Sequence, residues 1–127
     1  MRKTIHTDHA PAAIGPYSQA IIHNGLVYIS GQIPFDPETM TLVGESIEEQ
    51  TQQVMKNLGA VLEAAGSSFD HAIKCSIFLA DMGDFATVNE IYAKAFGEIP
   101  PARETVAVKT LPKEVLVEIS MIAEVPA

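Results

Sequence analysis

Apolar positions recur along this chain with two different periods. Between Ser46 and Gly66, the residues Ile47, Val54, Met55, Leu58, Val61, Leu62 and Ala65 share one face at helical spacing, with Glu48, Gln52, Lys56 and Glu63 opposite. Ser46 followed by Glu49 forms a capping box, and Gly66 is placed to end the helix with a positive φ. Phe85, Val88, Ile91, Tyr92, Ala95 and Phe96 repeat the pattern. They predict a second helix, capped by Asp81 or Asp84 and running to about Gly97, ahead of Pro100-Pro101.

Elsewhere the period is two. Val115, Val117, Ile119, Met121, Ala123 and Val125 make one wholly apolar strand face; Leu116, Glu118, Ser120, Ile122 and Glu124 make the other, which is mixed. Ala72 to Ala80 reads as a buried strand. Gln19 to His23 and Leu26 to Ser30, joined by Asn24-Gly25, form a tight hairpin signal. Short strands are expected at Lys3–Ile5 and Thr41–Val43, with a turn over 34–39. His9 to Ser18 carries two prolines and a glycine, which forbid a regular element, and its apolar content predicts a loop packed down with Tyr17 held in place.

Pro101 to Val108 and the last strand read as neighbours joined by a short turn. That pairing would set Arg103 beside Glu118, a guanidinium and a carboxylate able to hold a small anion and handle a proton. Two helices cover one face of a sheet, so the mixed face is expected to meet further copies of the chain. The strand glycine Gly31 lets a neighbour or ligand approach the backbone.

Length and composition narrow the class. At 127 residues, 47% apolar and 19% charged, the chain is expected to form one globular domain over 1–127. No apolar run approaches a membrane span and no signal peptide is visible, so a cytoplasmic protein is expected. The net charge of −8 and the lack of a basic run disfavour nucleic-acid binding. Cys75 has no disulfide partner and reads as an inert core residue. The scattered His6, His9, His23 and His71 read as surface or loop residues without metal-ligand spacing, and no dinucleotide or phosphate-loop motif occurs. Neither metal nor organic cofactor is expected.

Five ordered motifs carry a resemblance over nearly the whole chain. They are Ala10 to Gln19, Ser30-Gly31-Gln32-Ile33-Pro34, Asp84 to Tyr92, Pro101-Ala102-Arg103, and Leu111-Pro112-Lys113 with Val117-Glu118-Ile119. With them the sequence resembles the RidA/YjgF family of reactive-intermediate deaminases. The resemblance implies an α+β, chorismate-mutase-like fold, a mixed β-sheet with two helices on one face, assembling as a homotrimer with sites between subunits. It implies cofactor-free hydrolysis of small 2-enamino and 2-imino acids, such as 2-aminoacrylate, to 2-oxo acids and ammonia.

By the same resemblance, Arg103 matches the residue holding the substrate carboxylate and Glu118 the one orienting the attacking water. Tyr17, Ser30, Gly31, Asn89 and Thr105 match site-lining positions. Thr105 stands where cysteine is usual, which excludes a thiol role, and the segment 95–100 is shorter than in many members. A planar guanidinium pairs bidentately with a carboxylate and stays charged. A glutamate between Val117 and Ile119 on a half-buried face is a candidate for a shifted pKa. The bland readings are a strand-end arginine, a sheet-surface glutamate, a tyrosine anchoring its loop, a serine satisfying a strand end and a helix-surface asparagine. The alternative functions are a regulatory trimer sensing 2-oxo acids and, weakest given the charge, a ribonuclease.

Overall fold

The capping box forms. In the computed structural model, which describes all residues 1–127, Ser46 Oγ accepts from the Glu49 backbone N–H at 3.1 Å and donates to the Glu49 carboxylate at 2.9 Å. Helix α1 then runs Ile47–Ala64. Gly66, at φ +77°, ends it in a Schellman turn, with Ser67 N–H donating to Leu62 and Gly66 N–H to Glu63. Helix α2 is shorter than its sequence pattern suggests, Phe85–Ala93. Beyond it the chain tightens into i→i+3 bonds at Lys94, Ala95 and Phe96. Asp81 caps a preceding 3₁₀ turn through Gly83 N–H, whereas Asp84 makes no side-chain cap.

Eight strands complete the chain: β1 (Lys3–Ile5), β2 (Ala20–His23), β3 (Leu26–Gln32), β4 (Phe35–Asp36), β5 (Thr41–Leu42), β6 (Ala72–Leu79), β7 (Ala102–Ala107) and β8 (Val117–Glu124). β4 and β5 make a small separate hairpin; the other six form one sheet in the order β1-β2-β3-β8-β6-β7. The β2–β3 turn places Asn24 and Gly25 at φ 52° and 77°, as a tight hairpin requires. β7 pairs parallel to β6, and β8 pairs antiparallel to both β6 and β3.

This order corrects the expected β7–β8 pairing. β6, α2 and β7 form a strand–helix–strand crossover, whose strands pair in parallel, and β6 therefore lies between β7 and β8.

Val117, Ile119, Met121 and Ala123 of β8 face the helices and are buried, with Cys75, Ile77 and Leu79 of β6 beside them. They join Val54, Leu58, Val61 and Val88 in a continuous apolar cluster. The architecture is α+β, a mixed sheet with both helices on one face. The opposite face is only partly covered: Tyr28 and Val106 are exposed and Phe78 and Ile122 half-buried. No helix is long and apolar enough to cross a membrane.

Candidate active site

Glu118 emerges on the partly covered face, opposite Phe78 of β6. On its other side β3 carries a bulge between Ile29 and Gln32, which brings Ser30 and Gly31 under the glutamate. The fit is close. A Cβ built on Gly31 would lie 2.7 Å from the Glu118 carboxyl carbon, so glycine is what admits the side chain. The carboxylate ends in a cavity of about 580 Å³ whose walls include Tyr17, Ser30, Gly31, Ile14, Ile33, Phe35, Met40, Pro112 and Lys113. Burial among these groups pushes its pKa above the ordinary glutamate value.

The walls are braced from behind by polar side chains of α1 that its apolar pattern did not reveal. Asn57, fully buried, donates to the carbonyls of Ile33 and Phe35 at 3.0 and 3.1 Å. Gln50, also buried, accepts from Leu116 N–H at 2.8 Å, two residues ahead of Glu118, and donates to the Gly44 carbonyl at 2.9 Å. Their spacing of seven residues on the stripe of Val54 and Val61 was the available signal. Gln19 does the same for the loop over the cavity. Its amide accepts from Thr7 N–H at 2.7 Å and donates to the carbonyls of Thr7, Ala10 and Pro11. The loop is thus tied at its base, not packed down along its length: Ile14 and Tyr17 are exposed. The Tyr17 hydroxyl accepts from Ile14 N–H at 3.4 Å, and its backbone N–H donates to the Gly15 carbonyl at 2.9 Å. Ser30 spends its hydroxyl hydrogen on the Ser18 carbonyl, at 2.6 Å, and so joins loop to strand.

Arg103 lies elsewhere. In register it stands beside Cys75, whereas Glu118 stands beside Phe78. Cys75 faces the helices and Phe78 the other side, so Arg103 and Glu118 project from opposite faces of the sheet. They are also separated by roughly 10 Å along the strands and about 10 Å across two strand spacings. A single copy of the chain does not bring them together. With Arg103 come Asn89, whose Oδ1 accepts from Arg103 Nη1 at 2.9 Å, and Thr105, two residues along β7 on the same face. The Thr105 hydroxyl is buried and has no hydrogen-bond partner.

The candidates therefore divide into two half-sites: Tyr17, Ser30, Gly31 and Glu118 in one, Asn89, Arg103 and Thr105 in the other. Cys75 is free and fully buried, and burial raises its thiol pKa. His23 departs from the loop reading, since it lies on β2 with a buried, unpartnered Nδ1. No group of three His, Cys, Asp or Glu side chains is placed to hold a metal ion. The largest hollow, about 980 Å³, opens behind α1 near Phe69 and contains none of the candidate residues.

Known proteins share this sequence and fold. The family described as Endoribonuclease L-PSP matches residues 7–125. A mouse (Mus musculus) protein named 2-iminobutanoate/2-iminopropanoate deaminase is 49% identical over 123 residues, 97% of this chain and 91% of its own. The crystal structure of a Rid-family protein from Yersinia pestis is 52% identical, with a TM-score of 0.96 over 98% of this chain and 100% of that one. E. coli TdcF, solved with bound serine, is 41% identical, with a TM-score of 0.91 over 96% and 98% of the two chains.

Proposed function

Since the chain belongs to the RidA/YjgF family, we propose that it hydrolyses reactive 2-enamino and 2-imino acids to 2-oxo acids and ammonia. The substrates are 2-aminoacrylate, 2-iminopropanoate and 2-iminobutanoate, released in the cytoplasm by pyridoxal-phosphate enzymes, and the reaction needs neither metal nor organic cofactor. The observation that carries the reading is the Glu118 pocket, where a desolvated carboxylate is aimed past a glycine into a half-apolar cavity.

In this reading Arg103 pairs with the substrate carboxylate and fixes the imine carbon relative to Glu118. Glu118 holds a water against that carbon and takes its proton as the C–O bond forms. That proton is delivered to nitrogen as the C=N π bond opens, giving a carbinolamine. The hydroxyl proton then passes by way of Glu118 to the same nitrogen, and ammonia leaves as the C–N bond breaks and the carbonyl closes. The uncatalysed hydrolysis already proceeds in water, so orientation and a placed base supply most of what is required. The raised pKa has a kinetic consequence. The rate falls on the acid side as Glu118 is protonated, at a pH above the ordinary glutamate value of about 4.3.

Because the two half-sites face opposite ways, the reading requires a second copy to bring its Arg103 to the first copy's Glu118. A homotrimer joined through the partly covered sheet face supplies three such junctions. It also covers the apolar groups left open there, Tyr28 and Val106 among them. The net charge of −8 disfavours the ribonuclease chemistry that the family's description names.

The test is a coupled assay with serine/threonine dehydratase, following 2-oxo acid release with wild type, Arg103→Ala and Glu118→Ala. Wild type accelerates release, and Arg103→Ala loses about 100-fold or more while remaining folded. No acceleration by the folded wild-type trimer overturns the deaminase reading for these substrates and favours a trimer that only senses such carboxylates.

A further inference from the structure

Arg103 is not a free side chain at the sheet edge. Besides its bond to Asn89, its guanidinium carbon lies 5.5 Å from the centre of the Phe85 ring and 5.3 Å from that of Tyr92. Phe85, Asn89 and Tyr92 are spaced i, i+4, i+7 on α2, so one stripe of one helix makes all three contacts. Tyr92 is itself held. Its ring is buried and packs on Phe96 at 4.7 Å, and its buried hydroxyl has no hydrogen-bond partner.

We infer that this stripe is a preset cradle for Arg103, in which Phe85 and Tyr92 are positioning residues that set the affinity for the substrate carboxylate. The inference rests on the reading of Arg103 as the carboxylate clamp. A guanidinium carries five N–H donors in one plane. Asn89 engages one on Nη1, which leaves the Nε–Nη2 edge to receive a carboxylate bidentately. The two rings hold the guanidinium by cation–π contact while the residue stays exposed and open to a ligand. An arginine without them would lose its rotamer freedom only when substrate arrives, and binding would weaken by that amount.

Phe85 is the decisive position. It is only half-buried, so its replacement spares the core more than that of Tyr92. Loss of one ring is expected to cost about tenfold in affinity. The experiment compares wild type, Phe85→Leu, Phe85→Tyr and Arg103→Ala in the assembled protein. It measures KM and kcat for the imine from the dehydratase, calorimetric Kd for 2-oxobutanoate, and the ring-current shift of the Arg103 δ-methylene protons.

Phe85→Leu should raise KM and Kd about tenfold, change kcat less than about twofold, and shift the δ-methylene signals toward their unstacked position. Phe85→Tyr, which keeps an aromatic face, should restore the affinity. Unchanged KM and Kd in Phe85→Leu, or a fall in kcat at constant KM, overturns the cradle. If Arg103→Ala nevertheless abolishes binding, the clamp reading survives that failure. Undiminished binding by Arg103→Ala sinks the clamp and the cradle together.

Discussion

Glu118 and Arg103 stand on one sheet, yet what holds each of them differs in kind. Glu118 is fixed by backbone: a bulge in β3, a glycine beneath it, and buried amides of α1 bonded to main-chain groups on both sides of its cavity. Arg103 is fixed by side chains alone, at an edge strand whose other residues are mostly exposed. Moving the first means breaking ladder and helix contacts; moving the second means only unstacking a guanidinium. Under the proposed function the base is placed by the main chain and the carboxylate clamp by side-chain stacking, so side-chain substitutions around the site reach the second more readily than the first.

The sharpest way to break this comparison is to put the halves on different chains. Arg103→Ala and Glu118→Ala, each inactive alone, should regain activity when unfolded together and reassembled. Random mixing leaves about a quarter of the sites with both wild-type groups. Coupled-assay activity no higher than that of either variant would mean that the two residues do not share a site across copies.

Gly31→Ala attacks the backbone-fixed half directly. The added methyl meets the Glu118 carboxylate, and kcat should fall by about 10- to 100-fold, with KM changed much less. Wild-type kcat would show that Glu118 need not occupy that position.

Asn57→Ala removes the brace without touching the cavity surface. Two part-buried carbonyls lose the Asn57 amide, and urea unfolding should show a loss of about 1–3 kcal/mol. A loss near zero would place the rigidity of the pocket elsewhere.

The smallest effect concerns charge. Burial raises the Glu118 pKa in the folded state, so folding favours its protonated form. Its contribution to stability is full below the unfolded-state value and is lost as pH rises through the folded one. Glu118→Gln should therefore raise Tm at neutral pH, by roughly 1–2 °C for this partly exposed group, with no gain at pH below about 4. Thermal melts at both pH values check the sign.

Much of this arrangement was legible in the chain. The Ser46–Glu49 box, the Asn24-Gly25 turn and the strict alternation of Val117 to Ala123 are local patterns with one structural outcome each, and each formed. Sheet order is not local. Proximity in sequence suggested β7 beside β8, although the strand–helix–strand run from Ala72 to Ala107 already carried the stronger rule of parallel neighbours. That error joined two residues which in fact face apart. The roles of Gln50 and Asn57 were hidden for another reason: a polar side chain on a helix's apolar stripe is explained only by the carbonyls it reaches, and those come from distant segments.

β7 carries one more consequence. As one of the sheet's two outermost strands it leaves one side of its backbone unpaired, and an open edge invites further strands to dock, which is how soluble chains begin to aggregate. Pro100 and Pro101 offer no N–H at its entrance, and Arg103 and Glu104 place opposite charges on successive positions along it. During refolding at high concentration, neutralising Arg103 would thus remove a guard against fibrous growth as well as the proposed ligand contact.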